Sequence, residues 1–225
     1  MGVMQRTFEE LLARVGAVEH RTLPFPRIQD IVRAGYEDTV NGVYKSLGGA
    51  LTSAELNLRT WDLEFDGVAV ELDEYLHFNR YRAVTLLATE YAKLPGFPMD
   101  AYREFCDRFE SQCLGAGGYG GKWTNRSCER QFGVGSTPKA LDGTGAPRWK
   151  QRAFYDFVKD LSPLVLGVKV ARVAIWDEVM DNGAGRTVKD VLSQPTTTGA
   201  EALAKLVLAR TAMPAPITLM KKGTT

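Results

Sequence analysis

The feature that most constrains the fold is the segment of residues 60–73, in which two short alternating stretches flank the dipeptide Asp66-Gly67. Asp-Gly between alternating apolar and polar residues is a strong signal for a β-hairpin with a two-residue turn. A two-residue turn also fixes the pairing of the two strands. We therefore predict a hairpin in which Asp62 lies directly opposite Glu71.

The predicted hairpin separates apolar from acidic side chains, because successive residues of a strand point to opposite faces. One face is expected to carry Trp61, Leu63, Phe65, Val68, Val70 and Leu72. The other is expected to carry Thr60, Asp62, Glu64, Ala69, Glu71 and Asp73. The hairpin thus presents a cluster of carboxylates on one side.

Opposed carboxylates disfavour strand pairing, and no Lys or Arg lies between Thr60 and Tyr75 to neutralise them locally. A hard divalent cation would compensate the charge, since Mg²⁺ takes oxygen ligands from one or two carboxylates and leaves its other positions to water and phosphate. The alternative is a solvated outer face that basic side chains from distant parts of the chain neutralise.

Length and composition predict one main domain. With 225 residues and 44% hydrophobic residues, the chain can bury one substantial core. We expect an α/β domain over residues 1–180, with an insertion at about 96–147, followed by a linker, a short helix and a mobile tail over 181–225. No apolar run reaches the roughly 18 residues of a membrane span and no secretory leader is evident, so we expect a soluble, cytoplasmic protein with no membrane association.

Hydrophobic periodicity predicts helices around the hairpin and one later strand. The helices are expected at residues 8–18, 28–46, 78–94, 101–113, 148–161 and 200–210, and the strand at 168–176. This order predicts a mixed sheet flanked by helices. The three cysteines, Cys106, Cys113 and Cys128, match no paired zinc-finger spacing and are expected to be reduced, with a three-cysteine zinc site as the alternative.

Basic residues are concentrated in residues 119–172, which contain ten Lys or Arg and only four acids. A basic segment of this kind is suited to binding a polyanion such as nucleic acid. Arg148, Lys150 and Arg152 are candidates to contact its backbone, with Trp149 stacking on a base. In the alternative interpretation this segment is a solvated helix start and Trp149 belongs to the core. A second candidate patch in the insertion comprises Lys122, Trp123, Arg126 and Arg130.

Two motifs resemble the core of the PD-(D/E)XK nucleases, and in particular the very-short-patch-repair-like endonuclease branch. The first is E-L-D-E-Y-L-H, residues 71–77, preceded by Asp62 one strand earlier. The second is the strand-like V-A-R-V-A-I-W-D-E-V of residues 170–179. The similarity covers residues 55–94 and 150–180. Two residues depart from the family pattern: Asp73 replaces the common lysine, and Glu74 replaces a glycine.

The resemblance implies a restriction-endonuclease-like fold and hydrolysis of DNA with Mg²⁺ or Mn²⁺. Asp62, Glu71 and Asp73 would hold the metal, and His77 would act as general base or bind phosphate. The alternative for His77 is a partly buried histidine at the entry to a helix, where it caps backbone groups. Arg80 would contact the scissile phosphate, whereas Arg82 is expected at the surface. Arg172, from the second motif, completes the set of candidate substrate-binding residues, Arg80, Arg148, Trp149, Lys150, Arg152 and Arg172.

The sequence is compatible with three functions. The first is a metal-dependent DNA endonuclease of restriction, repair or defence type, acting as a monomer or a homodimer. The second is a nuclease-like module that binds nucleic acid or a protein partner without cleavage, which the missing lysine favours. The third is a module whose acidic hairpin is incidental, since a fold does not fix a function.

Overall fold

A four-stranded mixed sheet forms the centre of the molecule. The computed structural model describes residues 2–20 and 23–212. The strand order is β1 (Val18–Glu19), β2 (Leu63–Phe65), β3 (Val68–Asp73) and β4 (Val170–Ala174). β1, β2 and β3 pair antiparallel, and β3 and β4 pair parallel. The predicted mixed sheet flanked by helices is therefore confirmed.

The predicted hairpin is confirmed, and its register is the expected one. Phe65 pairs with Val68, and Leu63 pairs with Val70. Asp66 and Gly67 have φ values of +47° and +74°, as a turn with a left-handed centre requires. The ladder ends at Leu63, so Asp62 lies just outside the strand rather than in the expected pair with Glu71.

Twelve α-helices surround the sheet in the described part of the chain. The first six are α1 (Val3–Leu12), α2 (Ile28–Arg33), α3 (Glu37–Ser46), α4 (Arg80–Thr85), α5 (Met99–Arg108) and α6 (Glu110–Gly117). The others are α7 (Gly120–Trp123), α8 (Arg126–Phe132), α9 (Pro147–Asp160), α10 (Ser162–Val165), α11 (Val188–Ser193) and α12 (Thr197–Ala209). Two 3₁₀ turns lie at Tyr75–His77 and Thr89–Lys93. None of these helices is long and apolar enough to cross a bilayer.

Helices cover both faces of the sheet. The apolar face of the hairpin packs against α1, α11 and α12 in one core, which contains Leu63, Phe65, Val70 and Leu72. The opposite face points toward α9, which also contributes to a second and larger core. The expectation that Trp61 lies on the apolar face is wrong, because Trp61 packs with Ala69 in a small separate cluster.

Several predicted helices are shorter than the hydrophobic pattern suggests. Residues 28–46 form two helices, because Gly35 adopts a left-handed φ of +78° between them. Residues 78–94 form only α4 and a 3₁₀ turn, and residues 101–113 are divided between α5 and α6. In contrast, α9 agrees with its prediction to within one residue at each end.

The part of the chain expected as a linker contains regular structure. β5 (Glu178–Asp181) and β6 (Ala184–Thr187) form a second hairpin around Asn182-Gly183, and α11 follows. The predicted last helix is present as α12, and it packs against α1 and β4. The expected mobile tail falls on residues 213–225, outside the described residues.

The expected insertion contributes to the larger core rather than lying outside it. Tyr102, Trp123 and Phe132 are buried there together with Cys113. The three cysteines are free and buried, as expected for reduced thiols. This segment therefore forms one wall of the domain, next to the face of the sheet that α9 covers.

Candidate active site between the sheet and helix α9

The face of the sheet that points toward α9 carries charged side chains. Glu71 and Asp73 alternate along β3, and Arg172 lies directly opposite Glu71 on β4. All three are buried. The acidic side of the hairpin is therefore an interior surface and not a solvated one.

Helix α9 supplies the complementary charges. Arg152, Asp156, Lys159 and Asp160 recur at the three- and four-residue spacing that places side chains on one side of a helix. Lys159 is only 8% exposed, so this side of the helix is buried. This stripe and the charged strand residues form a polar layer, which lies between the sheet and α9.

Arg172 is the centre of the polar layer. Its guanidinium donates to Asp160 Oδ1 at 2.7 Å, to Asp73 Oδ1 at 2.8 Å and to Asp156 Oδ1 at 3.3 Å. Burial lowers the pKa of Arg172, but the three carboxylates raise it by more, so the guanidinium remains charged. Because it is 2% exposed, Arg172 cannot bind substrate as predicted; it binds the acids of the protein itself.

Glu71 has a basic partner from a distant part of the chain. Lys159 Nζ lies 2.5 Å from Glu71 Oε1. Burial raises the pKa of Glu71 to about 7, against the opposing effect of Lys159. The carboxylate charge on the hairpin is thus compensated by basic side chains that are remote in sequence. Such compensation is the alternative to a bound metal ion that the sequence leaves open.

A second buried arginine extends the layer. Arg82 Nη2 donates to Asp160 Oδ2 at 2.7 Å, and the hydroxyl of Tyr91 donates to the same oxygen at 2.6 Å. On the other side, the Tyr102 hydroxyl donates to Asp73 Oδ2 at 2.7 Å. The expectation of a surface position for Arg82 is wrong, since its side chain is buried.

His77 lies at the edge of this layer, between two carboxylates. Its Nδ1 is 2.8 Å from Asp156 Oδ2 and 3.1 Å from Asp73 Oδ1. Burial lowers the pKa of His77, but Asp156 and Asp73 raise it by more, and the net shift is upward. The four-residue spacing of Asp73 and His77 in the sequence motif therefore produces a direct contact.

Asp73, His77 and Asp156 form a group with the composition of a metal site. One oxygen of each aspartate and a ring nitrogen of His77 lie within 4.8 Å of one another. Asp62, which was predicted to join such a site, instead accepts from Gln5 Nε2 and from the backbone N–H of Leu72. Within the described residues, the predicted set of Asp62, Glu71 and Asp73 does not converge on one point.

A cleft of about 340 Å³ opens beside His77. It is lined by Gly2, Gln5, Asp62, Leu72, Glu74, Tyr75, Leu76, His77, Ala116, Lys122 and Arg152. Acids and cations both line it, with Asp62 and Glu74 on the strand side and Lys122 and Arg152 on the helices. Burial raises the pKa of Asp62 and of Glu74.

Among the described residues, the two cations of the cleft form no ion pair with a carboxylate, although Asp156 acts on Arg152 and Glu74 acts on both through their charges. The guanidinium of Arg152 donates to the carbonyl of Leu76 at 3.4 Å, and burial lowers the pKa of Arg152. Lys122 Nζ donates to the carbonyl of Ala116 and to the hydroxyl of Tyr119. These groups are therefore available to an anion in the cleft.

The remaining predicted substrate-binding residues lie away from the cleft. Arg80 forms a bidentate pair with Glu110 at the surface. Trp149 is fully buried and contacts Trp123 edge-on, which agrees with the alternative that it belongs to the core. Lys150 is buried over the ring of Tyr81.

The row of cations at residues 148–152 therefore does not form one surface. Arg148 donates to Gln151 on its own helix. Of the predicted substrate-binding residues, only Arg152 lines the cleft. The sequence alone does not place Asp156 and Glu74 in the site, and it assigns Lys122 to a separate basic patch. The spacing of Arg152 and Asp156 on one side of α9 is the signal that could have identified Asp156.

The structure predicts that Arg172→Leu destabilises the fold strongly. Three buried aspartates would lose their common cation, and breaking a buried ion pair in this way costs about 3–5 kcal/mol. Urea unfolding at pH 7 measures the change in the free energy of unfolding. Lys169→Leu is the matched control, because Lys169 is exposed just before the same strand. A loss as small as that of the control would contradict the central role of Arg172.

We also predict that His77 remains protonated above its ordinary pKa near 6.5 when metal is removed with EDTA. The charged ring then stabilises the fold fully below about pH 6.5, and this contribution is lost as the pH rises through the raised pKa. The chain has two histidines, so NMR titration of the imidazole signals, assigned with His77→Gln, measures the pKa directly. Asp156→Asn should lower it, and an unchanged value would contradict the contact.

The comparisons with known proteins give a family without a known function. No curated protein and no solved structure matches the chain. One family model matches residues 42–194, which include the hairpin, α9 and β4. This match covers more than half of the chain, and the chain therefore belongs to DUF7255, a family of unknown function.

Proposed function

We propose that this protein is a metal-dependent phosphodiesterase that hydrolyses DNA in the cleft beside His77. The observation that carries the proposal is the position of the Asp73, His77 and Asp156 group, which lies beside two cations without carboxylate partners. Groups that bind a divalent ion and groups that bind phosphate are thus adjacent. This arrangement is suited to the hydrolysis of a phosphodiester.

The donor set fits a divalent ion, with a preference for Mn²⁺ over Mg²⁺. Asp73 and Asp156 offer carboxylate oxygens, and His77 offers an imidazole nitrogen. Mg²⁺ is bound mainly through oxygen, whereas imidazole nitrogen suits the transition metals. When bound, the ion would supply activation of a water molecule and stabilisation of negative charge on the phosphate.

The side chains of the cleft have distinct tasks in this reaction. Arg152 and Lys122 bind the phosphate oxygens as cations and orient the phosphodiester. Glu74 lines the same cleft, and burial raises its pKa, which makes the carboxylate a better proton acceptor. Glu74 is also the residue that stands in place of a glycine in the nuclease family that the sequence motif resembles.

A nuclease-like protein that binds nucleic acid without cleavage is the second candidate. Its support is the internal compensation of the acids, since Arg172 and Lys159 pair with Asp73 and Glu71 directly. In this case His77 carries a proton between its two aspartates and no ion is needed. The cleft cations would still bind phosphate.

We predict that Asp156→Asn abolishes both metal binding and metal-dependent cleavage. The substitution keeps the size of the side chain and removes one charged ligand. Isothermal titration with Mn²⁺ measures binding, and nicking of supercoiled plasmid with Mn²⁺ or Mg²⁺ measures cleavage. Circular dichroism and the melting temperature show whether the variant is folded, and His77→Gln provides a second test of the same group.

Two controls locate the site. Asp38→Asn changes an exposed aspartate on α3 and should leave binding and cleavage unchanged. Glu71→Gln tests the metal set expected from the sequence, because Glu71 is paired with Lys159 in the structure and should not be needed as a ligand. Absence of cleavage in the native protein, with nucleic-acid binding retained, would favour the second candidate.

A further inference from the structure

We infer that the cleft accepts one unpaired nucleotide, so that the substrate of this protein is single-stranded DNA or an unpaired strand end rather than an intact duplex. The inference rests on the proposed function, since it concerns the substrate of the same site. It follows from the size of the cleft, the position of His77 and the distribution of charge and apolar surface along the walls.

The volume of the cleft limits what can enter it. At about 340 Å³ it lies at the lower end of the range of about 300–1,000 Å³ that is typical of small-molecule pockets. This is room for one nucleotide-sized group. A paired nucleotide would have to enter together with its partner base, or leave the stack before entering.

The phosphate of the substrate must enter the cleft deeply to reach Asp73, His77 and Asp156. The side chain of His77 is 19% exposed, and those of Asp73 and Asp156 are 1% and 7% exposed. A phosphate that remains on the outer surface of a duplex does not reach these groups. Base flipping would bring it there, but it costs unstacking and unpairing, which is least for a base that is already unpaired.

The walls of the cleft come from separate elements of the fold. Gly2 and Gln5 lie at the start of α1, and Ala116, Lys122 and Arg152 lie on α6, α7 and α9. Gln5 is also bonded to Asp62 beside the hairpin. The inner wall of the cleft, where His77 and Arg152 lie, is fixed by the packing of α9 on the sheet, so the deep part of the cleft keeps its width.

The lining suits a nucleotide in chemistry as well as in size. Arg152 and Lys122 provide positive charge for the phosphate, while Tyr75, Leu76 and Ala116 provide apolar surface for a base and sugar. Aromatic surface next to cations is the general means by which proteins bind single strands, because every base offers a flat face for stacking. The ring of Tyr75 is supported edge-on by Trp176.

The test is a competition experiment with the full chain. A fluorescently labelled single-stranded oligonucleotide is bound in EDTA, which prevents cleavage, and fluorescence anisotropy follows its displacement. The competitors are the unlabelled strand, the corresponding blunt duplex and a duplex with an unpaired 3′ or 5′ extension. We expect the single strand and the extended duplex to compete at least about tenfold better than the blunt duplex.

Two arginine variants show whether the cleft is responsible. Arg152→Gln should weaken binding of the single strand by about tenfold, as expected for the loss of one charged phosphate contact. Arg33→Gln is the matched control, because the side chain of Arg33 is 79% exposed on α2 and does not line the cleft. It should leave the affinity unchanged. If Arg152→Gln binds as the native protein does, the cleft is not the binding site and the inference fails.

The inference and the proposed function fail in different ways. Equal competition by the blunt duplex, or Mn²⁺-dependent cleavage of that duplex as fast as of the single strand, would overturn the inference and leave a nuclease. Preferential binding of the single strand without cleavage by any metal would uphold the inference and overturn the proposed hydrolysis. Failure to bind any of the three competitors would overturn the inference.

Discussion

The ion pairs of Arg172 connect the central sheet to helix α9. Its guanidinium extends from β4 to Asp73 on the neighbouring strand and to Asp156 and Asp160 on α9. A buried charge is tolerated only when it is fully paired, so the sheet and the helix must keep their relative position for the acids to remain compensated. The position of His77, which is bonded to two of these acids, depends on the same constraint.

His77 belongs electrostatically to the same polar layer. Glu71, Asp73, Asp156 and Asp160 are paired with Arg82, Arg172 and Lys159. Asp73 and Asp156 also contact the imidazole of His77, and their charges raise its pKa despite its burial.

The sequence allowed prediction of those parts of the fold that local signals determine. Asp66-Gly67 fixed the hairpin and its register, and apolar periodicity placed α9 to within one residue at each end. Helix ends were predicted less well, because a residue such as Gly35 divides a helix without interrupting the apolar pattern. The hairpin around Asn182-Gly183 carried the same kind of turn signal and was not recognised.

The candidate site was predictable only in part, since burial is decided by contacts that are distant in sequence. Asp73 and His77 follow from their motif, but no local signal shows that the polar side of α9 is buried. A polar stripe on an amphipathic helix has the same spacing whether it faces water or a charged strand. Only the packing of α9 on β3 and β4 shows that Lys159 compensates Glu71 and that Asp156 faces His77.

The contrast between the ion pairs of the polar layer and the charges around the cleft is the main support for the proposed site. Inside the polar layer, each carboxylate has a cation or a hydroxyl as partner, which is what stability requires. Around the cleft, Arg152 and Lys122 have no carboxylate partner among the described residues, and Asp62 and Glu74 have raised pKa values. Replacement of the proton on His77 by a divalent ion would add one positive charge, and these two acids lie where they could offset it. Carboxyl groups that lie beside cations in a cleft, and whose pKa is raised by burial, are typical of functional sites.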